Sequence, residues 1–283
     1  MKKILITGAN SYIGTSFENY MRKFSNDYEI DTLDMLDPKW RETSFSSYDV
    51  VFHVAGIAHQ KETKSNAHLY YKINRDLTIE VAKKAKNDSV GQFVFLSSMS
   101  VYGKNTGAIN KKTIPTPKTN YGKSKLEAEN ALLAMNDEKF KICILRPPMV
   151  YGKNCKGNFQ SIIKLVKKTP VFPKVKNERS MIYIDNLSAF IEVVIRNDLE
   201  GVYCPQDTQY MQTQVMAKEI ANSLDKKIYF SRLLGIAICI VRPFFGILKK
   251  AFGNLVYSDF DDANSYCNMI NQKEALKNSL DIH

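Results

Sequence analysis

Apolar positions along this chain fall in short continuous runs and in helically spaced sets, and the two kinds alternate. Lys2–Ile6 predicts a strand, and the residues after Gly14 predict a helix reaching Lys23. Ile30–Asp34 reads as the next strand, and Val50–Val54 as a further one that ends in small residues. Leu69, Ile73, Leu77 and Val81, four apart, predict one face of a helix, with Asn74 inside it as a polar exception. Phe93–Leu96 is an apolar run that ends in hydroxyls at Ser97 and Ser98, as a buried parallel strand does at its carboxyl end. A helix-forming stretch opens at Tyr121, and Lys141–Leu145 is strand-like again before Arg146 and Pro147. This alternation from residue 2 to about 150 predicts an α/β fold, a Rossmann-type doubly wound parallel sheet.

Beyond residue 150 the rhythm breaks. A helix is expected to run to Lys168, Phe172–Lys176 reads as a loop, and Arg179–Leu187 crosses back to a strand and a helix. Met211–Leu224 and Leu233–Lys250 read as helical. The expected division is a dinucleotide-binding domain over 1–150, with later segments returning to it, and a smaller, mostly helical substrate-binding portion over 151–283. Leu233–Val241 is continuously apolar but too short to span a bilayer, so no integral membrane segment is expected. A buried or substrate-covering helix is the expectation there, with a membrane-surface helix as the alternative.

Composition changes this picture little. The 283 residues are 44% hydrophobic and 24% charged, which is ordinary for a soluble globular protein. The net charge of +11 comes from lysines scattered along the chain, without zinc-finger, basic-zipper or RNA-recognition signatures. Nucleic acid is therefore not an expected partner, whereas a basic surface suits an anionic substrate. Five cysteines (143, 155, 204, 239 and 267) lack Cys-x-x-Cys spacing, and the N-terminus reads as strand rather than signal peptide. Reduced thiols and a cytoplasmic location are the expectation, and no metal enters the reading.

The candidate chemistry lies at the strand ends. Thr7-Gly8-Ala9-Asn10-Ser11-Tyr12-Ile13-Gly14 places glycines between a strand and a helix, where backbone amides can approach a pyrophosphate. Ser11 occupies the place of the usual third glycine, so the match is partial. Asp34 follows Gly14 by twenty residues, the distance at which a carboxylate bonds the adenosine ribose. With little room for an extra strand before Val50, Asp34 could equally belong to a strand that touches the adenine. His53 reads as a structurally satisfied histidine. Tyr121 and Lys125, four apart at a helix start, share one face, and an ammonium there is expected to lower the phenol pKa towards the operating pH. An isolated Tyr-x-x-x-Lys is often only an exposed helix face. Its meaning comes from the serines of the preceding strand end, which can bond an oxygen that develops charge.

Taken in order, the Gly8/Gly14 turn, Phe-His-Val-Ala-Gly at 52–56, Ser-Ser-Met-Ser-Val-Tyr-Gly at 97–103, Tyr-Gly-Lys-Ser-Lys at 121–125, Leu-Arg-Pro-Pro-Met-Val-Tyr-Gly at 145–152 and Arg-Ser-Met-Ile-Tyr-Ile-Asp at 179–185 resemble the extended short-chain dehydrogenase/reductase family of nucleotide-sugar epimerases, dehydratases and reductases. Within it the chain is most similar to the UDP-4-keto-6-deoxy-N-acetylhexosamine 4-reductases of bacterial capsule and O-antigen synthesis. The resemblance implies Tyr121 as general acid/base, Lys125 as its partner and ribose ligand, and Ser98 as the hydroxyl on the reacting oxygen. It implies a cofactor site of Gly8, Asn10, Ser11, Tyr12, Ile13, Gly14, Asp34, Met35, Val54, Ala55, Gly56, Asn74, Leu96, Tyr121, Lys125 and Pro147. Substrate contacts are expected from Ser98, Met99, Ser100, Asn158 and Phe159, with Arg179 on the diphosphate. Dehydratases of the family carry Asp-Glu where Met99 and Ser100 stand, which argues against dehydration. The implied cofactor is NAD(H), favoured by Asp34 and Asp37, with NADP(H) as the other option. A UDP-sugar is the implied partner, a UDP-hexose 4-epimerase is the alternative activity, and a homodimer is left open.

Overall fold

The computed structural model describes residues 1–58, 60, 62–260 and 270–280. Its strands, in chain order, are β1 (Lys2–Thr7), β2 (Tyr28–Leu33), β3 (Val50–His53), β4 (Gln92–Leu96), β5 (Gly107–Ile109), β6 (Lys141–Leu145), β7 (Met149–Tyr151), β8 (Val171–Pro173), β9 (Met181–Tyr183), β10 (Gly201–Tyr203), β11 (Tyr229–Ser231) and β12 (Leu255–Tyr257). They divide between two units. The first comprises Met1–Gly103, Ile114–Pro147 and Leu187–Pro205, and the second Lys104–Thr113, Pro148–Asn186 and Gln206–His283. The chain passes from one unit to the other more than once.

The first unit is built on a six-stranded parallel sheet in the order β10-β6-β4-β3-β1-β2. Ile4–Ile6, Val50–Phe52, Phe93–Phe95 and Ile142–Leu145 are all buried, so successive residues, which point to opposite faces, are covered on both. On one face Leu5, Val51, Phe93, Phe95, Ile142 and Ile144 form a cluster with Val81, Ala82 and Ala85 and with Ala128 and Leu132. These latter residues come from the helices Thr78–Asn87 and Asn120–Leu133. On the other face Phe17 of the helix Tyr12–Met21 meets Phe52 edge-on at 5.2 Å. The order reverses between β1 and β3, which makes the carboxyl ends of these strands the switch point where open α/β sheets take ligands.

No strand intervenes between β2 and β3. That stretch is a loop with a short turn at Pro38–Arg41, held down by the buried Trp40 and Phe45. Because β2, an edge strand of the sheet, pairs directly with β1, Asp34 follows the strand next to the glycine turn.

The helix after β3 departs from the expected pattern. Ala67–Tyr71 continues through a π-helical turn, Lys72–Leu77, into Thr78–Asn87. The wider turn shifts the phase of the helix, and Tyr70, Asn74, Thr78, Val81, Ala82 and Ala85 are buried. Of the expected stripe Leu69, Ile73, Leu77 and Val81, only Val81 is fully buried.

The second unit holds three two-stranded parallel pairs, β7-β9, β5-β12 and β8-β11. Its helices include Asn158–Lys168, Thr213–Ser223 and Gln272–Leu280. Phe172 lies in a strand, β8, rather than the expected loop. Its ring is buried against Phe230 of the paired β11 at 6.0 Å and against Phe252 at 5.8 Å, and this packing fixes an extended backbone. The segment 232–250 is largely helical, as Arg232–Val241 and part of Gly246–Phe252, and of the expected buried or substrate-covering helix the buried form is not what is found. Gly235 alone is buried in the first of these helices. Cys143, Cys155 and Cys204 are buried free thiols and Cys239 is an exposed one, while Cys267 lies outside the described residues.

Candidate active site

The glycine turn is shaped by a close approach of two strand ends. Val54 and Ala55 both donate from their backbone N–H to the Thr7 carbonyl, at 3.0 and 2.9 Å, which brings the chain after β3 against the chain after β1. Gly8 sits there at φ +119°, and a Cβ on it would lie 2.7 Å from the Ala55 nitrogen. Asn10 follows in the left-handed region at φ 63°. Ser11, in the place of the third glycine, has an ordinary extended conformation at φ −72° and ψ 144°, so no glycine is required there. Its hydroxyl caps the helix by accepting from the Gly14 N–H at 3.1 Å. Tyr12 and Ile13 form the first turn of that helix, half-buried. Asp34 is exposed and its carboxylate accepts from the Leu36 N–H at 2.9 Å, while Met35 is partly buried against the core.

Asn74 reaches from the π-helical turn to the end of β3. Its side-chain oxygen accepts from the Ile57 N–H at 2.8 Å, and its amide donates to the Ile57 carbonyl at 3.1 Å and to the Ser124 hydroxyl at 3.4 Å. Gly56 is exposed beside it, in a place where a Cβ would meet the Asn74 oxygen at 2.8 Å and the Lys125 Nζ at 3.4 Å. His53 is satisfied in the core, as expected. Thr78 gives its one hydroxyl proton to the Asn74 carbonyl at 3.0 Å, so His53 Nε2 must be the donor to Thr78 at 3.1 Å. His53 Nδ1 then accepts from Thr7 at 2.7 Å. Burial, aided by the Lys125 charge, lowers its pKa to about 3, which keeps the ring neutral.

Tyr121 and Lys125 stand at the head of the helix Asn120–Leu133. Thr119 caps it by accepting from the Gly122 N–H at 3.1 Å, and Glu62 accepts from the Asn120 and Tyr121 N–H groups at 3.0 Å each. A carboxylate at a helix N-terminus satisfies free amides and the positive end of the helix dipole. Tyr121 lies edge-on to Tyr70 at 6.4 Å and hydrogen-bonds the Ser98 hydroxyl. Lys125 is buried, with its Nζ donating to the Leu96 carbonyl at 2.9 Å and lying 4.5 Å from the Phe95 ring centre.

The electrostatics correct one expectation. Burial raises the Tyr121 pKa, opposed by the Ser98 hydrogen bond and supported by Tyr70, and Lys125 does not pull it down. The physical reason is that the ammonium is directed to the Leu96 carbonyl, while burial lowers its own pKa to about 7 against a favourable effect of Glu129. The helix thus presents a neutral phenol bonded to a serine, with a lysine held near its point of neutrality. That set can donate a proton to an oxygen at the strand ends.

A second layer fixes this set. Glu129, one further helical step past Lys125, is fully buried and accepts from Arg146 Nε at 3.1 Å, from Arg146 Nη2 at 2.5 Å and from the Ser97 hydroxyl. Arg146 also donates to the Tyr102 hydroxyl at 2.9 Å. Burial works against the guanidinium charge, but Glu129 outweighs it and holds the pKa above its ordinary value. Met99 donates from its N–H to the Pro147 carbonyl at 2.9 Å, which ties the serine-bearing loop to the end of β6. Ser98 and Ser100 bond each other at 3.1 Å, Ser100 is exposed, and the Met99 side chain is buried.

In the second unit, Asn158 begins the helix Asn158–Lys168, and its side chain lies outside the described residues. Phe159 is fully buried, 5.8 Å from the Tyr151 ring, so only its backbone is free to meet a ligand. Arg179 donates from Nη1 to the Gly253 carbonyl at 3.1 Å, while its buried Nε has no hydrogen-bond partner among the described residues. Burial lowers its pKa to about 10, as befits a cation taken from water without a counter-charge.

Sequence reasoning missed Glu62, Glu129 and Arg146, which hold the Tyr121–Lys125 helix in place. Glu129 had a visible sign, an acidic residue four beyond Lys125 on the buried stripe that Ala128 and Leu132 complete. Glu62 had none, because it caps a helix 58 residues away.

A parallel sheet with its glycine turn, exposed Gly56 and serine–tyrosine–lysine set at the strand ends defines a Rossmann-type dinucleotide-binding protein. The residues present fit a dinucleotide, since the glycine-bearing turn after β1 leads into the N-terminus of the helix Tyr12–Met21, where backbone amides can meet a pyrophosphate. The chain belongs to the NAD dependent epimerase/dehydratase family, whose profile matches residues 4–204. The family's members act on sugar nucleotides with NAD or NADP as epimerases, dehydratases and reductases. The UDP-glucose 4-epimerase of Vibrio cholerae is 30% identical over 251 residues, covering 80% of this chain and 76% of that protein. The UDP-glucuronic acid 4-epimerase of Bacillus cereus in complex with NAD superimposes with a TM-score of 0.77 at 19% identity, over 99% of this chain and 97% of that one. A dTDP-4-dehydrorhamnose reductase of Clostridium acetobutylicum does so with a TM-score of 0.77 at 22% identity, over 99% and 98%.

Two expected outcomes follow from the charges. Glu129→Leu leaves Arg146 buried without its carboxylate and should cost about 3–5 kcal/mol of stability, measured by urea unfolding, and adding Arg146→Met should recover most of it. A loss below about 1 kcal/mol would contradict the pairing. The second outcome is a pH dependence. Below about pH 7 Lys125 is charged in the folded and unfolded chain alike, but between about 7 and its ordinary 10.5 the folded chain has lost a proton that the unfolded chain retains. Lys125 therefore adds stability as pH rises through that window. The stability difference between wild type and Lys125→Met should change in that direction across it, and a constant difference would refute the burial of an ionisable lysine.

Proposed function

We propose that this protein is a reductase that converts the 4-keto group of a UDP-2-acetamido-2,6-dideoxyhexos-4-ulose to UDP-N-acetylfucosamine or UDP-N-acetylquinovosamine for surface polysaccharide. The observation that carries this reading is the resting state of Tyr121, a phenol kept protonated by burial and bonded to Ser98. A reduction needs a proton donor at the sugar oxygen. Tyr121 donates that proton, Ser98 bonds the same oxygen, and Lys125, poised near neutrality, steadies the phenolate left behind. A bound nicotinamide supplies the hydride. In this reading Gly8, Asn10, Ser11, Tyr12, Ile13 and Gly14 hold the pyrophosphate side of the cofactor. Asp34 and Met35 face the adenosine, and Val54, Ala55, Gly56, Asn74, Leu96 and Pro147 line its path to Tyr121 and Lys125. Met99, Ser100, Asn158 and Phe159 belong to the substrate side, and Arg179 grips the diphosphate, for which its unpartnered buried Nε is suited.

NADH is the cofactor favoured by this reading. Asp34 follows the strand beside β1, and Arg41, the nearest arginine, is already paired with Glu80 at 2.5 and 2.8 Å and laid over Trp40. A second reading, a UDP-hexose 4-epimerase, is favoured by the Vibrio cholerae relative. Incubating the protein with candidate UDP-sugars and each reduced cofactor separates the two. Oxidation of the cofactor in step with a reduced sugar supports the reductase, and sugar interconversion without net oxidation supports the epimerase.

Tyr121→Phe should lower turnover by about 10²–10⁴-fold while cofactor affinity, read by fluorescence titration, stays near wild type. A variant that kept more than about half the rate would exclude Tyr121 as proton donor. Arg179→Ala should raise the KM for the UDP-sugar by about 10- to 150-fold, the cost of a charge-assisted hydrogen bond, with cofactor affinity unchanged. Equal weakening of both ligands would place Arg179 away from the diphosphate.

A further inference from the structure

Within the second unit, the helix Arg232–Val241 is bound to its neighbours along a single line. Ser231 caps it by accepting from the Leu234 N–H at 3.2 Å, and the Ser231 carbonyl accepts from Lys174 at 3.0 Å. Gly235 lies directly on the chain after β8, where a Cβ would come within 2.2 Å of the Lys174 carbonyl oxygen. On an α-helix the face opposite Gly235 is the stripe of Leu233, Ile236 and Ile240, which share one side at i, i+3 and i+7. These residues are 80%, 58% and 65% exposed. The apolar surface continues past Pro243 through Phe244, 82% exposed, and Phe245, 58% exposed. Single exposed apolar residues are common, but a contiguous stripe of five large ones marks a surface that meets something.

The charge around it states what. From residue 226 to residue 258 the chain carries six basic residues, Lys226, Lys227, Arg232, Arg242, Lys249 and Lys250, and no Asp or Glu. Arg232 and Lys250 are exposed at the two ends of the apolar surface. A helix of ten residues is about 15 Å long, half of what a bilayer core requires, so it can lie in a membrane surface but not cross it. Among the described residues no helix is long and apolar enough to cross a membrane. We propose that Leu233, Ile236, Ile240, Phe244 and Phe245, framed by Arg232 and Lys250, form a docking face for an anionic lipid surface. The apolar side chains enter the acyl boundary while the basic ones meet the headgroups. This assignment is independent of which sugar reaction the first unit supports.

The test uses the full chain and flotation with vesicles of phosphatidylcholine alone or mixed in equal parts with phosphatidylglycerol. The protein should float with the mixed vesicles and bind the neutral ones at least about tenfold more weakly. The triple variant Leu233→Ser, Ile236→Ser, Ile240→Ser should lose binding to mixed vesicles by at least about tenfold, with an unchanged circular dichroism spectrum and unchanged turnover of a soluble nucleotide sugar. These side chains are exposed, so their replacement does not threaten folding. Wild-type protein that stays in solution with both vesicles overturns the proposal, as does a triple variant that floats as well as wild type. A concentration-dependent dimer that the triple variant abolishes, without vesicle binding, would assign the face to a second copy of the chain instead.

Discussion

Two cations, Lys125 and Arg146, are carried into the interior beside the strand ends, and one carboxylate makes this tolerable. Glu129 accepts the Arg146 guanidinium and the Ser97 hydroxyl and favours the charge on Lys125. An isolated buried charge is expelled or neutralised, so the position of Glu129 on the helix determines where both cations can sit. Tyr121, Lys125 and Glu129 are spaced so that one stripe of one helix carries phenol, ammonium and carboxylate in line. The helix is pinned at its start by Thr119 and Glu62 and along its length by Arg146, so the phenol has little freedom to move relative to Ser98.

The opposite choice is made in the second unit. Asp207 is buried and receives hydrogen bonds from Tyr151 at 2.9 Å, Asn186 at 2.8 Å and the Tyr183 N–H at 3.2 Å. Burial still raises its pKa despite those three donors. Arg179, in the same unit, has no carboxylate partner among the described residues. One buried acid is satisfied by neutral donors and one buried base is left partly unsatisfied. The first is how a structural carboxylate is kept, and the second leaves a buried cation with a donor to spare among the described residues.

Much of the first unit was legible in the sequence because its strands are buried on both faces and therefore continuously apolar, and because Gly8 and Gly14 bracket a strand–helix turn. The Tyr121–Lys125 spacing fixed a shared face but not the atom that the ammonium meets, which is why the direction of the Tyr121 pKa was misjudged. The π-helical turn at Lys72–Leu77 defeats a reading by period, since it changes the period itself and buries Asn74 and Thr78 fully where Ile73 and Leu77 are only partly buried. The exposure of the helix Arg232–Val241 was illegible for another reason. Hydropathy records a preference for leaving water, and says nothing about whether the same chain provides the place to go. Glu62 was illegible because a cap formed across a long loop leaves no local trace.

The edge of the large sheet has a bearing on how the chain is made. β10 pairs with β6, yet the residues of 148–186, which belong to the second unit, are synthesised between them. The N-terminal strand is tied down late as well, since Lys2 donates to the Ile195 carbonyl at 2.7 Å and to Asp198 at 2.8 Å. A chain emerging from the ribosome therefore holds β1, β2, β3, β4 and β6 with an open edge at β6 until β10, which ends at Tyr203, has followed. Such long-range closure is slow, and an unpaired parallel edge invites pairing with another nascent chain. The large sheet is thus completed only after the segment 148–186 of the second unit has been made.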